Sequence, residues 1–119
     1  MEFKIPMWKI QEMTGYEPKT TFWQDFSIAD KFGLSSIKDT YKRVFLEWAD
    51  NVEYVTELAM VLNWKCWEHW HRSRKEMETF CDNHAEIGQW YKDKYYELLD
   101  WADKNLKGDD LTYFYKTLD

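Results

Sequence analysis

Four glycines and two prolines are the only strong turn-formers in this chain of 119 residues: Gly15, Gly33, Gly88 and Gly108, with Pro6 and Pro18. A sandwich or barrel of many short strands needs a turn signal every ten residues or so. This chain does not carry enough of them. What remains is a small number of longer elements, and their apolar residues recur at helical rather than alternating spacing. The sequence therefore predicts an all-α fold: a single domain over 1–119, a compact, aromatic-rich bundle of about six or seven helices.

Punctuation divides the chain. Pro6 suits a first helical turn and Gly15 an end, which predicts a helix over 6–14. Thr21-Phe22-Trp23-Gln24 has the form of a capping box, opening a helix that stops at Gly33. Ser36 starts the next, with Ile37, Tyr41, Val44, Phe45 and Trp48 on one face. Asp50-Asn51-Val52-Glu53 marks a break before a long helix to about residue 72. Ser73-Arg74-Lys75-Glu76 and Asn83-His84-Ala85-Glu86 bracket a short helix over 74–82. A helix over 84–106 follows, ended by Gly108, and a last one, capped by Asp109 or Asp110, runs to about Leu118.

The core this implies is unusually aromatic: 8 Trp, 8 Tyr and 7 Phe make up 19% of the residues. Each ring can bury roughly 150–250 Å², so a modest chain can still build a full core. No apolar run approaches the length of a membrane span. The start, Met1-Glu2-Phe3-Lys4, lacks the basic-then-apolar pattern of a signal peptide. Cys66 and Cys81 do not make a disulfide framework. The expectation is an intracellular protein with no membrane contact.

Net charge is −6, and it is unevenly placed. Residues 1–75 carry 11 basic and 11 acidic side chains, whereas residues 76–119 carry 5 basic and 11 acidic. A basic footprint for direct nucleic-acid binding is missing. In the 84–106 helix, Ile87, Tyr91, Tyr95, Leu98 and Ala102 share one side, and Glu86, Asp93, Glu97, Asp100 and Asp103 the other. At 1.5 Å per residue that acidic row spans roughly 25 Å. Carboxylates in line on a rigid helix can imitate a phosphate backbone and occupy the basic groove of a nucleic-acid-binding protein. The bland alternative is the solvated face of an ordinary bundle helix.

The long 52–72 helix is apolar on two faces. Val52, Val55, Leu58, Ala59, Leu62, Cys66, His69 and Trp70 form one, and Met60, Val61, Trp64 and Trp67 much of the other. Such a helix is central in a bundle, or else its Trp64–Trp67 side is open to a partner, either another protein or a second copy in a homodimer.

Motifs for chemistry are sparse. Cys66 and His69, and likewise Cys81 and His84, stand at i, i+3, so two Cys-x-x-His pairs can in principle supply a tetrahedral metal set. The competing role for Cys66 and His69 is as core residues. Glu68 to His71 is a single Glu-x-x-His, with Glu57 on the same side; a di-iron bundle needs two such motifs. No nucleophile elbow and no phosphate loop is present. The expectation is a non-enzymatic protein without a cofactor.

Two stretches, TTFWQDFSIADKFGLSSIKDTYKRVF over 20–45 and NLKGDDLTYFYKTLD over 105–119, resemble small, largely uncharacterised proteins of bacteriophages and prophages of gut Firmicutes. The segment from about His71 to Asp93 matches less well. The resemblance implies an accessory protein acting in the cytoplasm of a bacterial host cell. It suggests an inhibitor that binds a host protein, including defence systems such as CRISPR nucleases. It carries over no functional residue.

Overall fold

The computed structural model describes residues 19–71 and 84–118. Among them are five helices and no strand: α1 (Phe22–Phe32), α2 (Leu34–Trp48), α3 (Val52–His71), α4 (His84–Asn105) and α5 (Asp109–Leu118). The two further helices expected over 6–14 and 74–82 lie outside the described residues. The fold is all-helical and compact, with a radius of gyration of 13.9 Å against roughly 13.5 Å for a globular chain of this length. Among the described residues, no helix is long and apolar enough to cross a membrane.

Local chemistry accounts for the breaks. Gly33 has φ of 100°, a left-handed conformation that side chains with a Cβ avoid. Its N–H donates to the Ala29 carbonyl and its own carbonyl accepts from Ile37. One residue thus closes α1 and opens α2, so α2 begins at Leu34, two residues before the expected Ser36. The Thr21 side chain makes no cap bond; the Phe22 N–H donates instead to Thr20 Oγ1 at 3.4 Å. At the next break Asn51 Oδ1 accepts from the Tyr54 N–H at 3.2 Å, satisfying one of the unpartnered donors of a first turn. Gly108, with φ of 59°, makes the corner into α5.

α3 is the axis of the molecule. Every residue from Val55 to Cys66 is buried, as its two apolar faces predict. α4 packs along it most extensively, α5 lies against it, and α1 and α2 pair with one another and reach it as well. Phe26, Ile37, Val44, Leu62, Ile87, Tyr91, Leu98 and Phe114 are among the fully enclosed side chains of a single core. Rings meet edge to face at Phe26–Tyr91 (6.1 Å between centroids) and Phe45–Trp101 (5.2 Å), the geometry favoured by the ring quadrupole.

Gly88 sets the spacing of α3 and α4. A Cβ there would stand 3.0 Å from His69 Cβ and 3.0 Å from Trp70 Nε1. The first of these atoms is fixed to the α3 backbone and cannot rotate away. Alanine gains about 1 kcal/mol of helix propensity over glycine, but overpacking of this kind costs about 1–3 kcal/mol. Gly88→Ala is expected to lower the thermal midpoint by several degrees, measured by circular dichroism. An unchanged or higher midpoint would show that the helices separate freely at this point.

Candidate functional site

Two constellations stand out, one inside the bundle and one on its surface. The internal one joins α1, α3 and α4. Lys65 Nζ lies 3.0 Å from Asp30 Oδ2 and 3.3 Å from Glu68 Oε2, and donates to Ser27 Oγ at 3.0 Å. The Tyr91 hydroxyl donates to Asp30 Oδ1 at 2.8 Å. His69 Nε2 is 3.6 Å from Asp30 Oδ2, an ionic distance when the ring is protonated but too long for a hydrogen bond. The His69 and Tyr91 rings stack at 5.8 Å. The side chains of Asp30, Lys65, Glu68 and His69 are all less than one-tenth exposed.

Burial on its own would raise the Asp30 pKa. The His69 ring and the Lys65 ammonium outweigh it and hold the carboxyl below its usual range. Asp, His, Tyr, Ser and Lys are the groups of acid–base catalysis, but a reacting group must reach substrate. Here Asp30, Lys65, His69 and Tyr91 are buried and Ser27 is half-buried, and together they tie three helices. One sequence signal points here: Lys65 and Glu68 are opposite charges at i, i+3 on a helix whose apolar residues occupy two faces. Their cross-helix partners Asp30 and Tyr91 carry no such signal.

The candidate metal set, Cys66, His69, Cys81 and His84, is only partly described. Cys66 is fully buried, and burial pushes its thiol up to about 12. It therefore sits as a neutral thiol in the core. His69 is engaged with Asp30 and Tyr91, His84 lies at the start of α4, and Cys81 lies outside the described residues. Among the described residues no group of three or more His, Cys, Asp or Glu side chains is placed to hold a metal ion. Glu57 likewise serves the fold, its Oε1 accepting from the Lys19 N–H at 2.9 Å and from Trp23 Nε1 at 3.4 Å. The side chain of His71 lies outside what the structure describes.

The surface constellation lies on α2 and α4. Glu86, Asp93, Glu97, Asp100 and Asp103 are all exposed, along a helix anchored by its opposite face. Some are tethered: Gln89 Nε2 donates to Asp93 at 2.8 Å, Lys94 pairs with Glu97, and the Tyr115 hydroxyl donates to Asp103 at 2.7 Å. Burial and then Asp103 push the Tyr115 phenol up to about 12. Beside the row, Lys38, Tyr41, Lys42, Phe45, Leu46, Trp90 and Lys94 line a groove of about 510 Å³.

The Trp64–Trp67 side of α3 is placed differently. The two indoles stack at 4.8 Å, with Trp64 buried and Trp67 half-buried. Because α3 is covered on both its faces, Trp64 is part of the core and offers a partner no surface. Among the described residues, the large exposed apolar side chains are instead Ile28, Phe32 and Leu46 on α1 and α2, with Trp48, Trp70 and Tyr113 less so. No family model, curated protein or solved structure matches the chain.

Proposed function

We propose that the chain is a non-enzymatic binding protein of phage type that engages and modulates a host protein through the carboxylate face of α4. The observation that supports this most is the exposure of all five carboxylates on one helix face, in a chain whose excess negative charge is concentrated in the same half. α4 is held by Ile87, Tyr91, Leu98 and Ala102 in the core, so the row is presented rigidly and little ordering entropy is lost on docking. A partner with a basic groove, such as a nucleic-acid-binding enzyme of a defence system, matches it in charge. Such a contact is steered at long range and weakens with salt.

The test is affinity capture from host lysate, read by mass spectrometry, with the wild type and with the quadruple variant Glu86→Lys, Asp93→Lys, Glu97→Lys, Asp100→Lys. Exposed ion pairs contribute about 0–1 kcal/mol each, so the variant is expected to stay folded. The wild type should retain one stoichiometric host protein and the variant should lose it. Retention of that protein by a folded variant would remove the carboxylate face from the mechanism.

A further inference from the structure

The groove between α2 and α4 runs against the charge of the molecule. In a chain of net charge −6, its lining holds three lysines, Lys38, Lys42 and Lys94, and no carboxylate. Lys38 and Lys42 are exposed and, among the described residues, neither pairs with an acid. Lys94 is shared with Glu97. Lys38 and Lys42 are therefore the two ammonium groups of the hollow without an acid, and an anion seated between them relieves their mutual repulsion.

The floor is aromatic. Tyr41 and Phe45 lie nearly parallel, 5.8 Å apart with 12° between their planes, and Trp90 meets Tyr41 edge-on at 5.8 Å. Lys94 Nζ stands 5.3 Å from the Tyr41 ring centre and 5.7 Å from that of Trp90, so a cation already rests on these faces. Half-buried rings beside ammonium groups favour a ligand that is planar at one end and anionic at the other. The volume, about 510 Å³, falls within the roughly 300–1,000 Å³ of small-molecule sites.

We infer that this groove binds a free nucleoside monophosphate, its base against Tyr41, Phe45 and Trp90 and its phosphate between Lys38 and Lys42. A strand of nucleic acid does not suit the same place. Its phosphates, continuing past the rim, would meet Asp93 and Glu97 on the outer face of α4, both exposed, and like charges repel there. Stacking on aromatic rings tolerates any base, so the site discriminates by charge and planarity more than by base identity. The inference does not depend on the protein-binding role of the carboxylate row.

Titrating the full chain with adenosine monophosphate, followed by amide and indole resonances, tests it. A saturable shift centred on the Trp90 indole and the Lys38 and Lys42 amides is expected below about 1 mM. Adenosine and inorganic phosphate should each bind at least about tenfold more weakly, since each lacks half of the recognised chemistry. The exposed double variant Lys38→Ser, Lys42→Ser leaves the core intact and should weaken binding by about tenfold or more. Three results would each overturn the proposal: no saturable shift at Trp90, equal affinity in the double variant, or tighter binding of a short single-stranded oligonucleotide than of the monophosphate.

Discussion

Lys65→Met is expected to lower the unfolding free energy by about 3–5 kcal/mol, the loss seen when one member of a buried ion pair is removed. Methionine keeps most of the lysine volume, so the effect isolates charge from cavity formation. The lysine ammonium lies 3.0 Å from Asp30 and 3.3 Å from Glu68, with Lys65 only 4% exposed and Asp30 1%. Without it two carboxylates face each other across α1 and α3 with water excluded. Urea unfolding should show the change as a lower midpoint at unchanged slope. Adding Asp30→Asn should recover part of the loss, because the carboxylate that most needs the cation is then neutral.

The same variant has a signature in acid. Asp30 is held below the usual carboxylate range. A group whose folded pKa is depressed contributes stability that is fully present above its unfolded value, near 3.9. That contribution is lost as pH falls through the folded value. With Lys65 gone the depression shrinks, leaving the His69 ring as its main support, so the acid-unfolding transition should move to higher pH. A transition at the wild-type pH would mean that Lys65 does not govern the ionisation of Asp30.

Phe26→Ala is the second large effect, expected at about 3–5 kcal/mol and a fall in thermal midpoint on the order of 10–20 °C. Phe26 is fully buried and packs edge-on against Tyr91 at 6.1 Å. Removing the ring leaves a cavity between α1 and α4, next to the phenol that donates to Asp30. The two substitutions therefore act on one unit. Phe26→Ala combined with Lys65→Met should fall short of, or exceed, the sum of the separate losses by more than about 0.5 kcal/mol, the scatter of independent sites. Strict additivity would separate the aromatic core from the charged cluster.

How much of this was legible beforehand divides along the chain. Gly33, Asn51 and Gly108 marked helix ends, because a positive φ or a side-chain cap is a property of one residue and its immediate neighbours. The core face of α4 was also readable: Ile87, Tyr91, Leu98 and Ala102 are buried and Tyr95 is half-buried against the core, since a periodicity of 3.6 is local. The start of α2 was misplaced by two residues because Gly33 alone makes the corner, and no nearby residue type announces that. Trp64 and Trp67 showed the limit of periodicity, which identifies an apolar face but not whether another helix covers it.

The sequence by itself determined the class of fold, the helix ends at Gly33, Asn51 and Gly108, the two apolar faces of α3 and the placing of five carboxylates along one side of α4. Each of these depends on residues within a few turns of one another. The charged cluster and the lysine groove were decided by tertiary structure alone. Asp30 finds Lys65 across 35 positions and Tyr91 across 61, and Lys38 and Lys42 of α2 meet Trp90 and Lys94 of α4 in one hollow. Contacts at such separations follow from how helices stack, and the backbone spacing that Gly88 permits between α3 and α4 is part of what brings them within reach.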